Sequence, residues 1–260
     1  ALVHGRLHNL QCGCVIVIIF YGMVFSFLTR IKSINVLCSQ KMTTMIPHEI
    51  TLPFDKATFG MGCFWANDAL FGATQGVLRT RVGYSGGKML NPTYRNIMDH
   101  TEVIEIHYDP TAITYQQLLE LFWNNHEYGL TTKIKRQYAS LILYHNNGQR
   151  STAEDSLEQE RLKHKEEMCT EIKPAAIFYP AEDYHQKYRL QQHPQLCKAL
   201  MLNSQLLQDS HVAARLNGYV AGVGSVVRLN EDLKTFGLPD NLVEYVRKVH
   251  QVNKESGLYC

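Results

Sequence analysis

Thr58-Phe59-Gly60-Met61-Gly62-Cys63-Phe64-Trp65 reads as a short apolar strand that breaks at two glycines and turns directly into a helix. The glycines permit a tight turn and close approach of a ligand to the backbone, and they deliver Cys63 to the first turn of a helix running to about residue 72. Unpaired N–H groups and the positive end of the helix macrodipole favour a thiolate there, and the thiolate is the nucleophilic form of cysteine. Position alone leaves both a reactive Cys63 and an inert, buried one open. Phe64 and Trp65 are of types more often found in a core than in contact with a ligand.

Outward from this turn the chain alternates strands and helices. A strand is expected over residues 77–84, with Leu78, Val82 and Tyr84 on one face and Arg79 and Arg81 on the other. A Gly-Asn-Pro-rich loop follows at 85–93. A strand over 102–108 alternates Ile104, Ile106 and Tyr108 against Val103, Glu105 and His107, and Asp109-Pro110 ends it. Thr114 caps a helix carrying Tyr115, Leu118, Leu119 and Phe122 on one stripe. A strand over 139–145 ends at the turn Asn146-Asn147-Gly148. Ser151 and Glu154 have capping-box spacing at the head of a charged helix reaching about Met168, and 175–179 is a last strand. The order β-α-β, β-α-β, then helix and strand predicts an α+β chain, a mixed sheet with helices packed on it. Beyond residue 181 helices are expected around 196–207 and 242–250, as a wrap or lid. The expected division is an extension over 1–45, a catalytic domain over 46–193 and a C-terminal tail over 194–260.

The 260 residues are 45% hydrophobic and 19% charged, enough for a cored domain or two and too little charge for wholesale disorder. Twenty-six basic against 24 acidic residues leave a net charge of +2, which excludes nucleic-acid binding by bulk charge. Seven cysteines without a CxxC suit neither a secreted disulfide scaffold nor a closed zinc site, and they read as reduced and cytoplasmic. One segment complicates the compartment. Residues 14–28 (CVIVIIFYGMVFSFL) form an apolar run flanked by Arg6, Arg30 and Lys32. It is an upstream extension absent from the working protein, a cleaved targeting peptide, or an anchor; membrane association is expected only if it is retained.

Seven blocks carry a resemblance: GCFW at 62–65, GYSGG at 83–87, NPTY at 91–94, HTE at 100–102, YDP at 108–110, FWNNH at 122–126 and AEDYHQKY at 181–188. In this order they resemble the peptide methionine sulfoxide reductases of the A type, over about half of the chain. The resemblance implies a ferredoxin-like α/β sandwich carrying a thiol enzyme that returns free and peptide-bound methionine S-sulfoxide to methionine, an antioxidant repair of proteins. Cys63 matches the nucleophile, Phe64 and Trp65 the wall for the substrate methyl, Glu102 the proton donor, and Tyr94 and Tyr138 the phenols on the sulfoxide oxygen. The implied reductant is thioredoxin; no metal, no bound cofactor and a monomeric state are expected.

The residue types suit that chemistry by themselves. Oxide is a poor leaving group, so attack of a thiolate on a sulfoxide needs the oxygen protonated at the same time. Glu102 can serve only while un-ionised, which burial favours. The product on Cys63 is a sulfenic acid that a second thiol must capture.

The chain departs from the pattern twice. Residues 131–136 (TTKIKR) occupy ground where many relatives carry an aspartate, whose hydrogen-bond support is missing or replaced. Val220 stands where relatives place a resolving cysteine in a glycine-rich tail. Cys260 is then the first candidate for the resolving thiol, Cys197 the second, on an apolar stripe with Leu196, Leu200 and Leu207, and Cys169 the third; direct reduction of Cys63 by external thiols is the alternative. Two competing functions stay open: a cysteine hydrolase or acyl transferase pairing Cys63 with His100 or His185, and a catalytically weakened binder of oxidised methionine. Asp183 and His185 lack the further ligands of a metal site and read as structural polar residues.

Overall fold

The structure, a computed structural model, describes residues 46–126 and 129–254. The apolar run at 14–28 and Cys260 therefore lie outside the described residues. Among the described residues no helix is long and apolar enough to cross a membrane.

The first half of the fold is β1 (Asp55–Gly60), α1 (Phe64–Ala73), β2 (Val77–Ser85), β3 (Thr101–Tyr108), α2 (Tyr115–Asn124) and β4 (Leu141–Tyr144). These four strands lie in the order β4-β1-β3-β2 and are antiparallel throughout, the ferredoxin-like arrangement expected. After α3 (Asn147–Arg161), β5 (Glu171–Pro174) adds a parallel strand beside β4, and β6 (Tyr179–Pro180) pairs with β2 at the other edge, so the sheet is mixed. Ala57, Phe59, Ile104, Ile106 and Ile142 form the helix-facing side and pack with Phe71, Leu118, Phe122 and Leu157.

Several local expectations change. In β2 the register shifts between Val77 and Arg79, which takes Leu78 out of the alternation. All of β3 is buried, so the expected polar face is absent. Val103 packs with Leu141, Leu143 and Phe178. Glu105 is held by Arg81 and His107, and Phe54 stacks on His107 at 4.4 Å. Asn146 is the N-cap of α3, accepting from Gln149 N at 2.9 Å, so Ser151 and Glu154 lie inside the helix and form no capping box. That helix ends at Arg161, and the strand expected at 175–179 becomes β5 and the two-residue β6.

The C-terminal region is helical: α4 (Tyr188–Gln191), α5 (Pro194–Ala199), α6 (Ser204–Asp209), α7 (His211–Val220), α8 (Val226–Leu233) and α9 (Asp240–Lys254). The helix expected over 196–207 divides into α5 and α6, and α7 and α8 are additional. Together these helices enclose a second core, which includes Ala73 at the end of α1. α7 lies against α1 so closely that a Cβ on Gly218 would be 2.5 Å from Ala69 O.

Candidate active site

Gly62, at φ +86°, makes the turn between β1 and α1, a conformation that L side chains avoid. Cys63 is the N-cap of α1 rather than a residue of its first turn, with extended backbone (φ −62°, ψ 122°), and its side chain does not cap the helix. It is half-buried. The N–H of Phe64, the first free donor of the helix, is taken by Glu102, which accepts at Oε2 from 3.2 Å.

Glu102 belongs to the helix-facing side of β3, paired with Tyr84 of β2, and is 2% exposed. Its second oxygen, Oε1, accepts from Gln137 Nε2 at 2.6 Å. Burial pushes its pKa up to about 7, against the pull of the two donors, so a substantial fraction is a neutral acid near neutral pH. A solvated carboxylate, the ordinary fate of a glutamate at the start of a strand, is thereby ruled out.

Tyr138 ends a one-turn 3₁₀ helix, Arg136–Tyr138, that precedes β4. Burial, then the charge of Glu102, the neighbouring Tyr94, to which Tyr138 hydrogen-bonds, and the electrostatic influence of Cys63 push its phenol up to about 12. Cys63, Glu102, Tyr94 and Tyr138 therefore meet at one place, as the motifs imply. Tyr94 is 36% exposed and forms the rim; its backbone N–H donates to Glu182 Oε1 at 3.1 Å.

Phe64 is buried in an apolar cluster with Val82, Tyr84 and Ala181, against which the half-buried Trp65 packs. Trp65 is fixed on two sides. Its ring stacks on Tyr188 at 3.9 Å, and its Nε1–H donates to His185 Nδ1 at 3.1 Å. His185 is 1% exposed and touches the rings of Phe64 and Tyr94 as well. Tyr84 donates to Glu182 Oε2 at 2.7 Å, which ties the AEDYHQKY segment to the sheet.

Neither histidine weighed as a base for a hydrolase is available at both ring nitrogens. His100 Nδ1 accepts from Gly87 N at 3.3 Å, leaving the ring proton on Nε2, which donates to Met89 O at 2.7 Å. His185 Nδ1 is committed to Trp65. Asp183 accepts from Ser204 Oγ, away from His185. Among the described residues no group of three or more His, Cys, Asp or Glu side chains converges as metal ligands would.

Residues 55–215 match the family model described as peptide methionine sulfoxide reductase. The chain belongs to the peptide methionine sulfoxide reductase family. Residues 201–250 match a second model, the helical domain of selenoprotein methionine sulfoxide reductase A. A peptide methionine sulfoxide reductase of Drosophila melanogaster is 53% identical over 223 residues, 85% of this chain and 91% of the relative. Peptide methionine sulfoxide reductase A5 of Arabidopsis thaliana is 35% identical, over 78% of this chain and 82% of its own. Among solved structures, methionine sulfoxide reductase A of Corynebacterium diphtheriae is similar with a TM-score of 0.51 and 32% identity, over 57% of this chain and 82% of that one. This reductase thus acts by a thiol on methionine sulfoxide.

Gln137, Glu182 and Tyr188 are site residues that sequence reasoning missed. Tyr188 closes the AEDYHQKY block and Gln137 precedes Tyr138, but no periodicity marks either as a neighbour of Trp65 or Glu102. Of the candidate resolving thiols, Cys197 is half-buried; burial raises its pKa, and its Sγ contacts Leu190 O at 3.4 Å.

Proposed function

We propose that this reductase takes the S epimer of methionine sulfoxide, free or in a peptide, with Cys63 as nucleophile and Glu102 as acid. The observation that carries the reading is a buried carboxyl with a pKa of about 7, hydrogen-bonded to the backbone of the residue next to Cys63. The Cys63 thiolate attacks the sulfoxide sulfur while Glu102 gives its proton to the oxygen. Tyr94 and Tyr138 donate hydrogen bonds to that oxygen as charge builds on it. The oxygen leaves as the hydroxyl of a sulfenic acid on Cys63, methionine departs reduced by two electrons, and Cys63 is oxidised by two. Electrons come from thiols throughout, so the reaction calls on no metal or organic cofactor. Phe64 and Trp65 wall the methyl group.

A second thiol then attacks the sulfenic sulfur and expels water, forming a disulfide. Cys260 is the proposed resolving thiol ahead of Cys197, whose sulfur is held at Leu190 and whose thiolate burial disfavours. Thioredoxin is the proposed reductant of that disulfide.

The test supplies each epimer of N-acetyl-methionine sulfoxide with a dithiol reductant. Turnover of the S epimer alone is expected, with no activity in Cys63→Ser; equal turnover of the R epimer, or full activity in Cys63→Ser, contradicts the reading.

A further inference from the structure

The acid of this reaction does not aim itself. Glu102 has one donor on each oxygen: the backbone N–H of Phe64 on Oε2 and the side-chain amide of Gln137 on Oε1, the latter the shorter at 2.6 Å. The two donors come from different parts of the fold, the head of α1 and the 3₁₀ turn before β4. Together they fix the plane of the carboxyl, which leaves one lone-pair direction on each oxygen for the proton to be delivered.

The turn bearing Gln137 is itself anchored. Thr101 Oγ1 donates to Arg136 O at 3.0 Å, Arg136 Nε donates to Asp99 O at 3.3 Å, and Arg136 Nη1 pairs with Glu171 Oε1 at 2.5 Å. These contacts pin the turn to the start of β3 and to β5. One short element thus delivers both the amide that holds Glu102 and the Tyr138 phenol.

We propose that Gln137 is a positioning residue of the reduction: its amide orients the Glu102 carboxyl toward the sulfoxide oxygen and stabilises the carboxylate left once the proton has gone. The proposal rests on Glu102 being the acid. An amide does not titrate, so this support is constant with pH, and it acts in the product direction of proton transfer, where negative charge has formed. Among the described residues, the titratable groups that interact with Glu102 are Tyr84 and Tyr138; Tyr138 in turn interacts with Tyr94 and Cys63, and Glu182 lies beyond the Tyr84 hydroxyl. Burial raises the phenols of Tyr84 and Tyr138, which stay neutral through the range in which Glu102 titrates.

The experiment is a single-turnover assay on the full chain, without reductant, following methionine formed from methionine S-sulfoxide across pH 5 to about 10 in wild type, Glu102→Gln and Gln137→Met. Wild type is expected to lose rate along an alkaline limb that Glu102→Gln lacks. Gln137→Met removes the donor at similar volume; its limb is expected to move up by about one pH unit, because a carboxylate loses a charge-assisted hydrogen bond, and its plateau rate to fall at least tenfold. Should Gln137→Met melt early, Gln137→Asn, one methylene too short to reach, gives the same reading. An alkaline limb that stays in place in both variants while Glu102→Gln abolishes it overturns the role of Gln137 alone. A limb that persists in Glu102→Gln overturns the acid assignment on which the proposal stands.

Discussion

Glu102 carries opposite signs for stability and for chemistry. Its carboxyl is raised from its ordinary 4.5 to about 7 by burial, so the folded chain binds the proton more tightly than the unfolded chain does. The stability this contributes is complete below pH 4.5 and is lost as pH rises through 7. Glu102→Gln, which cannot ionise, is therefore expected to gain stability relative to wild type between pH 5 and pH 8, while losing a hundredfold or more in rate, roughly the contribution of a positioned acid. Urea denaturation at the two pH values checks this; a difference that does not change with pH contradicts it. Glu105, in the same strand, has the reverse linkage. Burial raises it, but His107, Arg81 and Lys56 outweigh that and hold it at about 2, so its stabilisation is present above 4.5 and lost as pH falls toward 2. Cys63, Tyr94 and Glu102 were legible in the motifs, and Tyr138 only through the resemblance they carry. The state of Glu102 was not, because its burial depends on α1 and on a turn 35 residues further along the chain.

α1 is held at both ends by groups from outside it. At its head the Glu102 carboxyl accepts from Phe64 N, and at its tail Arg215 of α7 donates through Nη1 to Thr74 O at 2.8 Å and to Gly72 O at 3.4 Å. The Arg215 charge matches the helix dipole at the tail. Arg215 is 2% exposed and pairs with Asp232, to which Tyr219 also donates. Arg215→Met removes the donor to Thr74 O and Gly72 O and one of the two cations on buried Asp232, leaving Arg228 at 3.0 Å and the Tyr219 hydroxyl, and it is expected to cost about 1.5–3 kcal/mol in urea denaturation, with part restored by Asp232→Leu in the double variant. A loss under about 1 kcal/mol contradicts this account. The elements around the site were legible where the period was clean: the glycine turn into α1, the Thr114 cap of α2, and the alternating apolar residues of β3. α7 was not, because Val212 to Val220 are buried all round and a helix without a polar face has no stripe to read. The α3 boundary misled because Ser151 and Glu154 have cap spacing by coincidence, while Asn146 makes the cap.

At the scale of the whole molecule, a ferredoxin-like sheet supplies Glu102 and the turn bearing Tyr138, and a helical region braces α1, whose N-cap is Cys63. Residues 55–215 and 201–250 match separate family models that overlap within α6 and α7, where the helical region meets α1. The core of that region takes in Ala73, so the brace and the catalytic sheet are packed as neighbours and not merely tethered. The blocks that identified the family end at Tyr188, so they announced the catalytic half and left the brace to be found in the structure. The proposed reaction turns on the oxygen passing from substrate sulfur to Cys63. The direct measurement mixes the full chain with one equivalent of methionine S-sulfoxide and a sulfenic-acid trap, without reductant, and maps the adduct by peptide mass spectrometry. One methionine per chain with the adduct on Cys63 is the predicted result. Methionine formed with no adduct on Cys63 and no disulfide involving it, or formed equally by Cys63→Ser, contradicts the account.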